Sequence, residues 1–368
     1  MKKCVIASDS FKETLSSKQI TDLFAREFFK VFPNALLEKV VLADGGENTL
    51  EVFANHFING KYHYLKVTGP NFQTVNAKYF SYDDIAVIEL AEACGLSLTI
   101  NKNPLKTTTA GVGELIKDAY FKGFRKFYVA LGGSSTNDGG CGLLSALGVQ
   151  FVDTDNNKFV PVGGTINKIS RIDVSGIITE GAHFTILSDV KNSMYGFNGA
   201  AYVFAKQKGS SDHEIKILDK NLRHLNDLFL ALVNKDVSSI PGSGAAGAAA
   251  SGMLALLDCE IVSGIDTLLN LVDFDKRIKN ADYVFTGEGR LDSQSFNGKL
   301  ISGVLSRTKK QNIKTICVCG QNSITEIPND TFYKVFETSD KNASFEEIKR
   351  NASSYYSKTI KRILTSLK

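Results

Sequence analysis

Five times along this 368-residue chain a short apolar run breaks off into a loop that carries a carboxylate. Cys4-Val5-Ile6-Ala7 leads into Ser8-Asp9-Ser10, and Val40-Val41-Leu42-Ala43 leads into Asp44-Gly45-Gly46-Glu47. Phe127 to Leu131 runs into a glycine-serine stretch that reaches Asp138, and Phe184 to Leu187 ends at Ser188-Asp189. Tyr283-Val284-Phe285 delivers Thr286-Gly287-Glu288-Gly289-Arg290-Leu291-Asp292. The runs lack the polar alternation of a half-solvated strand, so they predict strands with helices on both faces. In such sheets ligands bind beyond the carboxyl ends of the strands, where this sequence concentrates its glycines and acids.

The intervening segments have helical spacing. Ile20, Leu23, Phe24 and Phe28 follow a start near Ser17, and two βα units open the chain. The texture then changes: Tyr62 to Val67, Asn76 to Phe80 and Ile85 to Leu90 are short strand-like pieces, the first two joined by Gly69-Pro70-Asn71, as in a meander or mixed sheet. Clean alternation returns in the last quarter, with strands near Tyr283 to Phe285, Ile313 to Cys319 and Phe332 to Phe336 and a basic amphipathic helix from Phe345 to Leu367. The expected fold class is α/β in two domains. Residues 1–64, 109–148 and 262–368 are assigned to a Rossmann-like or flavodoxin-like parallel sheet covered on both faces, and 65–108 with 149–261 to an inserted mixed α/β domain, with approximate boundaries.

Composition narrows the functional classes. The formal charge is only +4 and the basic residues are scattered, so no nucleic-acid partner is expected. The longest low-charge stretch, Gly242 to Leu257, is glycine-punctuated and too short to span a bilayer, and the C-terminal helix reads as a packing helix with a solvated basic face. No membrane partner is expected. The six cysteines show no paired C-x-x-C spacing and read as buried thiols in a reducing compartment. Met1-Lys2-Lys3 enters a strand directly, without an apolar signal segment, so a cytoplasmic location is expected. His56, His63, His183, His213 and His224 form no metal-ligand spacing, and Ser243, with Pro241 two residues before it, does not match a nucleophile elbow.

The loops themselves suggest phosphate chemistry. Phosphates take backbone N–H groups, helix amino ends and a cation, and Gly132 to Gly142 offers the first two. Its spacing matches neither a P-loop nor a dinucleotide fingerprint, and a tight strand-to-helix turn explains such a loop equally well by itself. Asp9, Asp44, Asp138, Asp189, Glu288 and Asp292 form a stronger pattern, because the fold can gather several of them at a sheet edge, where magnesium takes carboxylates together with substrate phosphates. Each acid alone could equally be a helix cap. Lys299 lies beside the first turn of a predicted helix, where the dipole does not favour a cation unless an anion is bound nearby; a solvated surface lysine is the alternative there, as for Lys12 and Arg290.

The segments IASDSFKETLSS, VVLADGGENT, VTGP, ALGGSSTNDGGCGLLSALG, GSGAAGAAASG and TGEGRLDSQSFNGK, in this order, resemble the glycerate kinase family of the bacterial glycerate and glucarate/glyoxylate utilisation type. The resemblance covers essentially the whole chain. It implies ATP- and Mg²⁺-dependent phosphorylation of D-glycerate to 2-phosphoglycerate, with the 3-phosphate assigned to some relatives, and two α/β domains with the active site in the cleft between them. Asp9, Ser10 and Lys12 match the family's first loop and Asp44, Gly45, Gly46 and Glu47 its second. Gly132 to Gly140 match the glycine-serine signature, Asp189 and Asn192 the middle motif, and Gly287, Glu288, Asp292, Gln294 and Lys299 the late one. The chain departs at Ser8 and Glu13, where the family has proline and glycine, and at Ser193 and Met194, where it has proline and leucine.

Combining resemblance and chemistry gives a set of expectations. ATP is assigned to Gly132, Gly133, Ser134, Ser135, Thr136, Asn137, Asp138 and Lys299, and Mg²⁺ to Asp189, Glu288 and Asp292. Glycerate is assigned to Asp9, Ser10, Asn192 and Arg290, with Lys12 or Arg290 anchoring its carboxylate. Asp44 is the candidate base, and Asp189 could serve as base or metal ligand. The expected partner is a small hydroxy acid and the expected assembly a monomer or homodimer. The same transfer to another hydroxy acid, or a non-catalytic small-molecule sensor, are the alternatives.

Overall fold

The computed structural model describes residues 1–11, 14–43, 45–296, 299–324, 331–339 and 343–368, with the backbone alone at Gln294. Lys12 and Asp44, two of the expected catalytic residues, lie outside the described residues. The chain divides into two compact units, Met1–Asp44 with Ile265–Lys368, and Gly45–Gly264.

The first unit, built from both chain ends, holds a five-stranded sheet in the order Lys334–Glu337, Lys314–Cys319, Tyr283–Thr286, Lys3–Ser8, Leu36–Val41. All its pairings are parallel. Side chains alternate between the faces, as a two-residue period requires. Ile316 and Val318 join Cys4, Ile6 and Phe285 in a core with the helices Ser17–Val31 and Phe345–Ser366, while Cys317 and Cys319 pack with Ile301 and Leu305 of the helix Leu300–Lys310. Both faces are thus covered, which is why these strands read as unbroken apolar runs. The helix Ser17–Val31 starts at a reciprocal capping box between Ser16 and Gln19.

The second unit holds a six-stranded mixed sheet in the order Cys259–Val262, His183–Leu187, Lys126–Ala130, Ile85–Glu89, Thr74–Tyr82, Lys61–Thr68. The first four strands run parallel and the last two form the expected meander. A separate three-stranded sheet of Gln150–Val152, Lys158–Phe159 and Arg171–Asp173 flanks it.

The division differs from the expected one. Residues 109–148 were expected beside the chain ends, yet Lys126–Ala130 bonds to Ile85–Glu89 and His183–Leu187 in the second sheet. Residues 45–64 move with it, because Glu89 accepts N–H bonds from Asn48 (3.1 Å) and Leu50 (3.2 Å) and Phe53 packs on Tyr82 and Tyr128. The inserted unit is therefore continuous, Gly45 to Gly264.

All six cysteines are free, and only Cys259 is not fully buried. Burial holds the thiols of Cys4, Cys94 and Cys141 well above the ordinary thiol range, so they pack as small apolar groups. Among the described residues no helix is long and apolar enough to cross a membrane.

Candidate active site

In the first unit the carboxyl ends of three neighbouring strands meet. Lys3–Ser8 ends at Asp9 and Ser10, Tyr283–Thr286 at the loop from Gly287 to Asp292, and Lys314–Cys319 at Gly320 and Gln321. The loops are tied by main chain: Asp9 N–H and Ser8 Oγ–H both donate to Gly287 O, at 2.9 and 3.0 Å, and Gly320 N–H donates to Glu288 O at 3.1 Å. Gly287 is required by close approach, since a Cβ there would lie 1.8 Å from Val318 O.

A cavity of about 420 Å³ opens beyond these ends. Asp9, Ser10, Glu288, Arg290, Asp292 and Lys299, six residues expected from the sequence, all line it. Asp9 is only 9% exposed and its Oδ1 accepts the Ser10 N–H at 2.7 Å. Arg290 donates Nε–H to Ser323 Oγ at 2.9 Å, which fixes the plane of its guanidinium. Lys299 caps the helix Leu300–Lys310 at its amino end, the position where a cation is intelligible if an anion is bound. Phe345, Ile348, Ala352 and Tyr355 of the C-terminal helix also line the cavity. The sequence reading missed this wall, taking the whole helix as packing.

Among the described residues no three histidines, cysteines or acids are grouped to hold a metal. A carboxylate pair suits magnesium nonetheless, because that ion keeps waters and takes one or two carboxylates plus substrate phosphates. Glu288 and Asp292, both lining the cavity, supply such a pair.

The second unit also gathers its expected residues at the carboxyl edge of its sheet. Gly132 is pressed so closely on the loop after Ala43 that a Cβ would lie 2.4 Å from Gly46 Cα. Asp189 follows the strand His183–Leu187, and its Oδ1 accepts the Ser263 hydroxyl at 2.8 Å. Asn192 spends its Nδ2–H on Asn198 O at 2.8 Å, bracing its own loop. Glu89, at the end of the strand Ile85–Glu89, was not singled out in the sequence; burial pushes its carboxyl up to about 8 against the N–H bonds from Leu50 and Asn48.

The glycine-serine loop differs from the expected phosphate cradle in one respect: its side chains face inward. Ser134, Ser135, Thr136, Asn137 and Asp138 are all buried. Asp138 Oδ2 accepts Thr109 N–H and Oγ1–H, both at 2.8 Å, and Gly142 N–H at 3.2 Å, while Oδ1 accepts Gly140 N–H at 3.2 Å. It is a structural acid joining two helix starts. Ser135 Oγ–H donates to Cys94 O at 2.8 Å, and the amide of Asn137 has no hydrogen-bond partner among the described residues. What the loop offers a ligand is backbone at the half-buried Gly132 and Gly133.

A lysine absent from the sequence-based set locks this loop from behind. Lys208 is 3% exposed, and its Nζ donates to Ser134 Oγ at 2.8 Å and Thr136 O at 2.7 Å. Burial pulls its pKa down to about 8, with Cys94 and Asp138 opposing. Because the folded value lies below the unfolded one, the buried charge is an unrelieved cost below about pH 8, and stability rises as the pH climbs from there toward the unfolded value. The urea stability of the wild type relative to Lys208→Met is expected to increase by about 2 kcal/mol between roughly pH 7.5 and 9.5. Parallel pH curves for the two proteins would contradict the assignment.

The model of the glycerate kinase family matches residues 4–368. A glycerate kinase of Bacillus cereus is 41% identical over 86% of this chain and 85% of its own, and the glycerate 2-kinase of Escherichia coli is 38% identical with the same coverage. A crystal structure from Salmonella typhimurium LT2, of a protein assigned as glycerate kinase 2, superposes with a TM-score of 0.82 at 34% identity, over 100% of this chain and 98% of that one. With a family match across nearly its full length and strand ends that collect carboxylates and cations around one cavity, this chain belongs to the glycerate kinase family.

Proposed function

We propose that the protein transfers the γ-phosphoryl group of ATP to the 2-hydroxyl of D-glycerate, with Mg²⁺ as the accompanying cation. The observation that carries this reading is the assembly of Asp9, Ser10, Glu288, Arg290, Asp292 and Lys299 around one cavity in a member of this family. Phosphoryl transfer asks a protein mainly to position two anions in line and to stabilise the charge on the group in flight. Lys299 holds a phosphate as a point charge, and the fork of Arg290 holds the glycerate carboxylate. Glu288 and Asp292 would hold Mg²⁺, which neutralises charge on the donor phosphates when bound. Ser10, whose backbone N–H and hydroxyl both donate to Asp9 Oδ1 at 2.7 and 3.4 Å, presents its hydroxyl oxygen to the acceptor.

Asp44 and Asp189 are the two candidates for orienting the acceptor hydroxyl, and Asp44 lies outside the described residues. The Ser263 hydroxyl, donating to Asp189 Oδ1 at 2.8 Å, orients that carboxylate.

The test is turnover with purified protein, ATP, Mg²⁺ and D-glycerate, followed by ADP release and proton-coupled phosphorus NMR. The 2-phosphate, bonded through a carbon with one hydrogen, gives a doublet. A triplet identifies the 3-phosphate, and faster turnover of another acid in a panel overturns the substrate. Asp189→Asn is expected to lower kcat by about 10²- to 10⁴-fold without loss of fold.

A further inference from the structure

The cavity is larger and less polar than a three-carbon acid requires. Its volume of about 420 Å³ lies in the range of roughly 300–1,000 Å³ typical of pockets for much bigger ligands. One side carries the acids and cations already described, and another is formed by Phe345, Ile348, Ala352 and Tyr355, spaced three, four and three residues apart on one helix. The second apolar stripe of that helix, including Tyr356, Ile360, Ile363 and Leu364, is buried in the core together with Ala352, so core packing does not account for Phe345, Ile348 and Tyr355. Phe345 remains 53% exposed at the cavity.

A ligand matching both walls needs a flat apolar end and an anionic end. Resting on the kinase reading above, we propose that the apolar wall at the start of the C-terminal helix holds the purine base of the nucleotide donor, with its phosphates directed to Lys299 and the carboxylate pair. The electrostatics fix that orientation. Glu346 and Glu347 lie in the first turn of the same helix and disfavour a phosphate there, whereas a neutral base pays no such penalty. Tyr355 is held by its hydroxyl, which donates to Glu347 Oε1 at 3.2 Å, presenting its ring as a fixed surface for stacking.

The experiment is photolabelling of the full-length protein with 2-azido-ATP and Mg²⁺, with the labelled peptide identified by mass spectrometry and unlabelled ATP as competitor. The expected label falls between Phe345 and Tyr355. In parallel, Ile348→Glu, which sets a carboxylate against the apolar wall, is expected to raise the KM for ATP by about 10- to 100-fold, while the KM for glycerate and kcat at saturating ATP hold. Competable label in the peptide carrying Gly132 to Asp138, or an unchanged KM for ATP in Ile348→Glu, overturns the base site. If D-glycerate is still phosphorylated in that case, the kinase reading stands without it; if no nucleotide is bound or consumed, both fall.

Discussion

Glu288→Gln lowers kcat for glycerate phosphorylation by about 10²- to 10³-fold, the usual cost of removing one group that stabilises transition-state charge, while the urea midpoint stays at the wild-type value. The substitution keeps size and shape and removes one negative charge from the cavity. The loop should survive it, because its main chain is tied independently: Gly320 N–H donates to Glu288 O, and Gln321 N–H donates to Gly289 O at 3.0 Å. The discriminating readout is a magnesium titration of turnover. If Glu288 is half of the magnesium pair, the variant needs much more Mg²⁺ for half-maximal rate and recovers part of its activity at high concentration. A rate loss that no amount of magnesium alters would assign Glu288 to another role, and an unchanged kcat would remove it from the site.

Gly287→Ala is the second large effect. The new methyl carbon would lie 1.8 Å from Val318 O and 2.8 Å from Val318 C, backbone atoms of a central strand that cannot rotate away. Relief requires separation of the main chain, at a cost of about 1–3 kcal/mol or more for overpacking. The same residue accepts the bonds from Asp9 N–H and Ser8 Oγ–H, so relaxation moves the first loop away from the one bearing Glu288 and Asp292. A displacement of about 1 Å at such a site can cost roughly 10²-fold in rate. Activity should therefore fall well below the folded fraction measured by circular dichroism. Val284→Ala, a fully buried truncation in the preceding strand, is the control: it should lose stability and keep kcat at temperatures where it is folded.

Much of this site was legible in the sequence because it depends on local order. A strand followed at once by glycine and carboxylate puts its acid at a sheet edge whatever the rest of the chain does, and Asp9, Glu288 and Asp292 indeed reach one cavity. Sheet membership was not legible. The run from Phe127 to Leu131 has the apolar texture of a buried strand in either unit, and only its long-range bonds to Ile85–Glu89 and His183–Leu187 decide between them. The edge strand Cys259–Val262 was missed because its four residues are too few to show a period.

Side-chain direction was equally hidden. Asp138 looked like a ligand acid because capping acids and metal-binding acids occupy the same kind of turn; its bonds to Thr109, Gly140 and Gly142 mark it as the former. Lys208 sits in the polar string Lys206-Gln207-Lys208-Gly209-Ser210-Ser211 and reads as surface until the fold buries it behind Ser134. Phe345, Ile348 and Tyr355 share an amphipathic helix with true core residues, and periodicity does not reveal that one stripe meets a cavity and the other a core.

If the cavity of the unit formed by the chain ends is the centre of phosphoryl transfer, the metal binds there. Crystals grown with D-glycerate, a non-hydrolysable ATP analogue and Mn²⁺ in place of Mg²⁺ would reveal the ion by its anomalous scattering. The expected peak is coordinated by Glu288 and Asp292, with analogue phosphates on the same ion and Lys299 beside them. A peak shared with the phosphates but remote from both carboxylates would contradict it.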